Sequence, residues 1–303
     1  DKDFFGYVEA MDASWYKAEN FYHENKDLVD VYLGFRSGQI DKESLKLYIT
    51  NFCYNKKGDI ESILDNAFAN KQCNLCKEIE ANLFRKMVRM HELEIQKHEL
   101  PLKDLNDNLE TAIKSALYMN YRNLYNDRKM VVDNPPMHCA LFFFMRNYAY
   151  SGMFRYSSKG EFNVPYGGIA YNSKFLKKKL DYYKSKALLE HFNDTHIFNL
   201  DFEDFLKTTQ PTKNDFIFLD PPYDSEFSTY AQNVFTQEDQ KRLANYMINE
   251  CPAKWMMIIK YTDFIYGLYN KNGINIRTFD KEYLVSFMNR NDKKVTHLLI
   301  TNY

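Results

Sequence analysis

Residues 220–223 join an acid, two prolines and an aromatic ring directly behind a short apolar run. The order is Asp220, Pro221, Pro222 and Tyr223. An exocyclic amine on a nucleobase is a poor nucleophile because its lone pair is delocalised into the ring. The Asp220 carboxylate and the Pro221 main-chain carbonyl can each accept one N–H of such an amine and so localise the lone pair. The four residues are therefore suited to presenting a planar amine to an electrophile.

The two prolines and Tyr223 fit the same chemistry. Proline fixes the backbone direction and adds no competing N–H donor. Tyr223 offers a flat face on which a base can stack. The alternative is an ordinary strand end followed by a proline-rich turn, which accounts for the prolines but not for the acid and the aromatic ring together.

The apolar run at 216–219 predicts the strand that delivers Asp220. Its four residues do not alternate with polar ones, so we expect both faces to be covered, as in the central strand of a parallel sheet. In open α/β sheets ligands bind at the carboxyl ends of the strands, which is where Asp220 would lie.

The last third of the chain alternates strand and helix patterns. Strands are predicted at 196–199, 216–219, 255–259, 274–279, 283–288 and 295–301, helices from 202 and through 247, and a hairpin turn at 289–292. Thr236 and Asp239 form a capping box that opens the helix ending near 247. The order indicates an α/β fold with a mostly parallel sheet and antiparallel edges.

Residues 26–120 are mostly helical in pattern, and Pro101 should end a helix before a further one at 105–125. A loop is expected at 134–136, an aromatic segment at 139–150, and a hairpin or ordered loop at 151–168. An amphipathic helix rich in lysine is expected at 173–192. Its lysines either meet phosphates or form a solvated face, and the pattern does not choose between the two.

The composition limits the classes of partner. The net charge is −1, so any polyanion site must be a local patch. Aromatic residues make up 17% of the chain, and burial in the hydrophobic core is the favoured interpretation over base-stacking surfaces.

The five scattered cysteines and the lack of a signal peptide or long apolar run indicate a cytoplasmic protein. Cys73 and Cys76, with His91 and His98, lack zinc-finger spacing, so no metal is expected.

The wider pattern resembles the Dam-like (class D, alpha group) DNA adenine-N6 methyltransferases. The matching pieces are 121–126 (Tyr-Arg-Asn-Leu-Tyr-Asn), 150–167 with its Gly-Glu-Phe-Asn-Val-Pro-Tyr-Gly string, 201–202, 220–223 and 299–303. The resemblance implies a Rossmann-like methyltransferase sheet with an inserted, largely helical target-recognition domain. Residues 1–50 and 185–303 would form the catalytic domain, and 51–184 the DNA target-recognition region.

The resemblance also implies a reaction and its residues. A methyl group would pass from S-adenosylmethionine to the exocyclic N6 amine of an adenine flipped out of duplex DNA. Asp220, Pro221, Pro222 and Tyr223 would be catalytic. Asp201 and Phe202 would contact the cofactor near its adenosyl group, although an acid that only caps a helix is the alternative for Asp201.

The family's recognition hairpin maps onto residues 150–165. By that mapping Tyr150 would insert beside the flipped base, Met153 and Pro165 would touch bases, and Arg155 would read a guanine edge. Ser151 stands where members of the family have Asn, so the target sequence is not transferable. Asn163 belongs to the same DNA-contacting set, and Lys159 and Arg146 are the candidates for phosphate contacts.

One part of the family pattern is poorly represented. The family's cofactor half begins with a strand and a Phe-x-Gly-x-Gly loop, whereas here Phe4 and Gly6 match the frame and Val8 replaces the second glycine. We expect either a degenerate motif or an upstream segment or second polypeptide that supplies it. The resemblance implies an active enzyme of a bacterium or virus that belongs to a restriction-modification system. The alternative is an accessory DNA-binding subunit that needs a partner chain to bind the cofactor.

Overall fold

The computed structural model describes residues 2–69, 74–224, 235–282 and 294–303. They form two compact units, Asp1–Asn193 and Asp194–Tyr303, named here the helical unit and the sheet unit. The strand predicted at 283–288, the turn at 289–292 and Cys73 lie outside the described residues.

The helical unit consists of eleven described α-helices and two short 3-10 turns. The helices are α1 (Lys2–Glu24), α2 (Leu28–Arg36), α3 (Lys42–Asn55), α4 (Lys57–Ile63), α5 (Asn66–Ala69), α6 (Leu75–Gln96), α7 (Leu102–Tyr125), α8 (Arg128–Asp133), α9 (Pro135–Tyr148), α10 (Lys177–Tyr183) and α11 (Lys186–Asn193). The helical pattern at 26–120 is confirmed, and Pro101 lies between α6 and α7 as expected. None of the described helices has the length and apolarity needed to cross a membrane.

Two predictions for this unit need correction. The loop expected at 134–136 is the start of α9, where the Asn134 side chain accepts a hydrogen bond from the Met137 N–H at 3.1 Å. Pro135 occupies the first turn of α9, where a missing N–H costs no hydrogen bond. The basic helix expected at 173–192 is two short helices, α10 and α11.

Helix α1 belongs to the helical unit by packing. Its inward residues Val8, Met11 and Trp15 are fully buried in the core that α7 and α9 also line. Residues 1–50 therefore fall in the same compact unit as 51–184. The cause is the apolar face of α1, which buries against its neighbours. The functional assignment of the two regions stays a prediction.

A lysine is buried at the centre of this core. The Lys114 side chain is 0% exposed and forms ion pairs with Glu110 at 2.8 Å and Glu19 at 2.9 Å. Its Nζ also donates to the main-chain carbonyl of Asn172 at 2.6 Å. The Trp15 indole donates to the same carbonyl at 3.3 Å. Because a buried charge is tolerated only when it is paired, Lys114 ties the chain at residue 172 to α1 and α7.

The sheet unit contains α12 (Phe202–Thr209), β1 (Phe216–Leu219), α13 (Gln237–Asn249), β2 (Lys254–Lys260), α14 (Asp263–Tyr269), β3 (Asn275–Glu282) and β4 (Lys294–Thr301). Its four described strands have the order β1-β2-β4-β3. Strand β1 runs parallel to β2, whereas β4 is antiparallel to both β2 and β3. The fold is thus mixed α/β, but the described sheet is not mostly parallel. The capping box at Thr236 and Asp239 is confirmed.

Strand β1 is an edge strand in the described sheet, not a central one. Phe216 and Phe218 are 54% and 53% exposed, while Ile217 and Leu219 pack partly buried against the core. The core lies on one face of the sheet, where Trp255 of β2 is fully buried under helices. The expected strand at 196–199 is absent from the described structure, so it does not pair with β1. An apolar run indicates that a strand can be covered, but the surrounding elements decide whether it is.

Candidate active site and recognition segment

The residues from Asp220 to Tyr223 follow the carboxyl end of β1, as predicted. Asp220 is exposed and the next three residues are half-buried. The Pro222 carbonyl accepts a hydrogen bond of 2.8 Å from the side-chain amide of Gln240, which is itself only 1% exposed. This bond sets the direction of the peptide between the prolines and Tyr223. The Asp220 carboxylate is left open to solvent.

The Tyr223 ring rests on a buried histidine. Its centroid is 5.7 Å from that of His297, with the two planes at 73°. His297 is 1% exposed and stacks on Phe279 with centroids 5.5 Å apart. Directly after the ring, Asp224 accepts hydrogen bonds of 3.3 Å from Gln237 and of 3.3 Å from Thr262. Residues 220–223, named here the acceptor residues, are therefore supported by α13 and by His297 of β4, which in turn stacks on Phe279 of β3.

Asp201 and Phe202 open helix α12. The Asp201 side chain accepts a hydrogen bond from the Glu203 N–H at 2.9 Å, so the helix-capping role is confirmed. Arg242 also pairs with Asp201 at 3.0 Å and lies over the Phe202 ring with its guanidinium carbon 4.8 Å from the centroid. The Glu203 N–H, together with Arg242, lowers the pKa of Asp201. An exposed carboxylate can accept hydrogen bonds from an adenosyl group, and an aromatic ring can pack against it. The two residue types are therefore compatible with an adenosyl group.

Phe4 and Gly6 do not form a glycine loop. Both lie in α1, and the Phe4 ring packs against Phe5 and Phe143 with centroids 5.3 Å and 5.9 Å apart. Both residues have helical backbone conformation in this stretch, so it does not form the open turn of a glycine loop. The structure therefore has a helix where the family motif has a loop, and a cofactor role for Phe4 and Gly6 stays a prediction.

A second candidate region, named here the recognition segment, covers residues 149–167 of the helical unit. Antiparallel bridges join Ala149 to Tyr166 and Tyr156 to Phe162, which bears out the expected hairpin or ordered loop. Along its return arm the exposure alternates. Phe162, Val164 and Tyr166 are buried, whereas Pro165 is exposed and Asn163 is half-buried. This alternation fixes which side chains face outward.

The buried side of the recognition segment is bonded to α7 and its C-cap. Asn126 donates to the Phe162 carbonyl at 3.0 Å and accepts from the Phe162 N–H at 2.8 Å. The Tyr118 hydroxyl donates to the Val164 carbonyl at 2.9 Å. Two successive inward residues are thereby fixed to one helix. The segment is consequently a built surface and not a free loop.

Two glycines are required by close approaches in this segment. A Cβ at Gly152 would lie 2.8 Å from the Arg146 guanidinium, and its φ of +59° is in the left-handed region. A Cβ at Gly167 would lie 2.4 Å from the Tyr171 ring. Ser151 also has a positive φ of 52°, which is costly for a residue with a Cβ. The turn after Tyr150 is therefore held in a specific, strained shape.

Comparison with known proteins identifies the family. Residues 54–284 match the model for the D12 class N6 adenine-specific DNA methyltransferases, which is more than half of the chain. The chain belongs to this family.

Three relatives illustrate the match. The type II methyltransferase M.CviBI of Paramecium bursaria Chlorella virus NC1A is 35% identical over 54% of this chain and 60% of its own length. The retron Ec67 DNA adenine methylase of Escherichia coli is 32% identical over 45% of this chain and 44% of its own. The type II methyltransferase M.MjaIII of Methanocaldococcus jannaschii is 30% identical over 67% of this chain and 70% of its own. The chain thus spans only about half of the first two relatives, and none of these matches points to a second polypeptide.

The structure places the predicted DNA-contacting residues of this family member on one segment and its border. Tyr150 is 46% exposed. Exposed positions also include Ser151, Arg155, Lys159, Pro165 and Arg146, and half-buried ones include Met153 and Asn163. The Arg155 Nε donates to the Asn163 Oδ1 at 2.8 Å, which orients the guanidinium. Their roles toward DNA remain predictions.

Sequence reasoning missed the residues that hold these sites. Asn126 ends the Tyr-Arg-Asn-Leu-Tyr-Asn string, so that string was a usable signal for an anchor. Gln240 gave no such signal, because a single amide in an amphipathic helix looks like a solvated residue. Among the described residues no cluster of His, Cys, Asp or Glu could hold a metal ion.

Proposed function

We propose that the chain is a site-specific DNA methyltransferase that transfers a methyl group from S-adenosylmethionine to the N6 amine of adenine in duplex DNA. The observation that carries the proposal is the sequence 220–223 at the carboxyl end of β1, with the Pro222 carbonyl fixed by Gln240, in a chain of this family. The type II methyltransferase names of two relatives suggest a place in a restriction-modification system.

The acceptor residues act by hydrogen bonding and stacking. The exposed Asp220 carboxylate accepts one N–H of the adenine amine, and the Pro221 carbonyl accepts the other, so the nitrogen lone pair becomes available for attack. The Tyr223 ring, backed by His297, provides a stacking face for a base flipped out of the duplex. S-adenosylmethionine supplies a methyl group already activated by a positively charged sulfur.

The donor side of the reaction has one candidate pair of residues. Asp201 presents an acceptor for an adenosyl amine or ribose hydroxyl, and Phe202 is the aromatic ring beside it. Because the sulfonium activates the methyl group, alignment of the amine matters more than a strong general base. Asp220 therefore serves mainly as a hydrogen-bond acceptor.

The recognition segment supplies sequence choice in this proposal. Tyr150 inserts at the position of the flipped base. Arg155, oriented by Asn163, reads a guanine edge, and Met153 and Pro165 contact bases. Ser151 stands where the Dam-like enzymes have Asn, so the target sequence has to be measured.

The test combines binding and transfer. Binding of S-adenosylmethionine to the chain is measured by calorimetry, and radiolabelled methyl transfer is measured on unmethylated genomic DNA, with the methylated adenines mapped by sequencing. The Asp220→Ala variant should lose transfer by about a hundredfold or more while it retains DNA binding. Asp194→Ala, which removes an exposed acid elsewhere in the sheet unit, should transfer as the parent does.

Three outcomes contradict the proposal or its catalytic assignment. Absence of methyl transfer by a folded chain that binds both DNA and S-adenosylmethionine rules out the enzyme. DNA binding without S-adenosylmethionine binding would instead match an accessory DNA-binding subunit. Retained turnover in Asp220→Ala would show that another group activates the amine.

A further inference from the structure

The lysines between residues 174 and 186 fall into two classes by their partners. Lys177 pairs with Asp181 at 3.1 Å and Lys186 pairs with Glu190 at 3.5 Å. Both pairs are separated by four residues, and the lysine side chains are 78% and 88% exposed. These charges are neutralised on a solvated face, which is the ordinary role of such residues.

Lys174 and Lys179 behave differently, because both converge on one buried residue. The Lys174 Nζ donates to the Asn147 main-chain carbonyl at 2.5 Å, and the Lys179 Nζ donates to the Asn147 side-chain oxygen. Asn147 is 4% exposed and lies in the last turn of α9. Lys174 is also placed 4.9 Å from the Tyr171 ring centroid. Two cations are thereby held side by side at the end of one helix.

Arg146 adds a third cation, one residue before Asn147 in the last turn of α9. Its guanidinium donates to the Gly152 carbonyl in the recognition segment and lies 5.8 Å from the Phe154 ring centroid. Among the residues that the structure describes, no carboxylate pairs with Arg146, Lys174 or Lys179. Asp12 lies near by, but it accepts a hydrogen bond from the Leu176 N–H at 2.7 Å.

Holding like charges together without a counter-ion is unfavourable unless an anion is bound. Burial and the neighbouring Lys179 charge lower the pKa of Lys174, as expected for crowded cations. An ammonium has three N–H donors, and Asn147 takes only one from each lysine. The remaining donors are available to an oxyanion.

We propose that Arg146, Lys174 and Lys179 form a clamp for the sugar-phosphate backbone of duplex DNA, beside the recognition segment. The inference rests on the proposed function, because that function makes duplex DNA the polyanion. It assigns the phosphate role to two lysines of the 173–192 region and leaves Lys177 and Lys186 as solvated residues. Arg146 joins the clamp to the turn at Gly152, so a bound phosphate would lie next to Tyr150.

The experiment uses a random-sequence duplex, because phosphate contacts do not depend on base sequence. Binding of a fluorescent duplex of about 25 base pairs is measured by anisotropy between about 50 and 200 mM salt. The Lys174→Ala/Lys179→Ala variant should bind more weakly at low salt. Its slope of log affinity against log salt should fall by about 1.8, which corresponds to two lost phosphate contacts.

A matched control removes the same charge from the same region. The Lys177→Ala/Lys186→Ala variant also loses two positive charges, but both were paired with carboxylates, so its slope should stay near that of the parent chain. Circular dichroism confirms that both variants fold. Equal slopes for the two double variants would overturn the clamp.

The clamp and the proposed function fail in distinguishable ways. A parent chain that methylates DNA, but whose slope is unaffected by Lys174→Ala/Lys179→Ala, disproves the clamp alone. A parent chain that binds random duplex through the clamp but transfers no methyl group disproves the enzyme alone. No duplex binding by the parent chain disproves both.

Discussion

The two segments with proposed chemical roles are supported in opposite ways. The recognition segment of the helical unit is tied along its inward side, with Phe162 and Val164 bonded to residues of α7 and its C-cap. Residues 220–223 of the sheet unit follow an edge strand, and the bond to the Pro222 carbonyl and the ring contact of Tyr223 are their main supports. One segment is fixed by a core, the other by a few contacts.

The difference teaches how each segment can meet its task. Reading a base edge needs side chains whose direction is set in advance, because a misplaced bidentate donor loses its discrimination. The acceptor residues need only one acid and one carbonyl aimed at the same amine. Gln240 fixes the Pro222 carbonyl, and with it the backbone that follows the Pro221 carbonyl, while Asp220 stays accessible to an incoming base.

The largest expected effect concerns the core of the helical unit. Lys114→Ala should lower the free energy of unfolding of this unit by about 3 kcal/mol, because Glu19 and Glu110 would lose the charge that compensates them. Urea unfolding is followed by the fluorescence of Trp15 in a Trp255→Phe background, since the chain has two tryptophans, one in each unit.

Lys103→Ala is the control, since Lys103 is exposed on the same helix, and its effect should stay within about 0.5 kcal/mol. A loss below about 1 kcal/mol for Lys114→Ala would mean that the two glutamates are solvated without their partner. In that case the buried Lys114 would contribute little to holding residue 172 against α1 and α7. The contrast between a segment fixed by a core and one fixed by a few contacts would then weaken.

Parts of the fold were readable from the sequence because their signals are local. The capping box at Thr236 and Asp239, the break at Pro101 and the strands near 255–259 and 295–301 need only neighbouring residues to be recognised. The exposure of Phe216 was not readable, because an apolar run does not state which other elements will cover it. Gly6 matched one of the two glycines of the Phe-x-Gly-x-Gly frame although it lies in a helix, because a single glycine does not indicate the backbone conformation around it.

The candidate site divides in the same way. Asp220 and its neighbours were found from chemistry, and the residues at 150–165 from a family resemblance. The residues that hold them, Asn126 and Gln240, depend on contacts across the fold. Such contacts follow from packing, which no short pattern encodes.

The next effect tests the single bond at the acceptor residues. Gln240→Ala removes the donor to the Pro222 carbonyl, so kcat for methyl transfer should fall about tenfold. The KM for DNA should change little, because the recognition segment is untouched. Steady-state kinetics on methylatable DNA give both constants.

Asn245→Ala is the matched change on α13, where the amide is exposed, and it should leave both constants unaltered. A rise in KM without a change in kcat would show that Gln240 acts in DNA binding and not through its hydrogen bond to the Pro222 carbonyl. Equal losses from both variants would indicate a general defect of α13.

The smallest effect is a difference in pH dependence between the units. Burial raises the pKa of Asp12 in the helical unit, whereas the Glu203 N–H and Arg242 lower the pKa of Asp201 in the sheet unit. A raised pKa makes the charged acid a cost to folding, and this cost is relieved as pH falls through the raised value toward 3.8. A lowered pKa gives stability that is present above 3.8 and is lost as pH falls below it.

Asp12→Asn and Asp201→Asn isolate these two contributions, and asparagine can still cap α12 at position 201. As pH falls toward 3.8, the parent chain should gain stability relative to Asp12→Asn, measured through Trp15. Below 3.8 it should lose stability relative to Asp201→Asn, measured through Trp255 in a Trp15→Phe background. The second change should be small because the Asp201–Arg242 pair is exposed and screened by solvent. If the parent chain lost stability relative to both variants as pH falls, the charged Asp12 carboxylate would not be destabilising the folded helical unit.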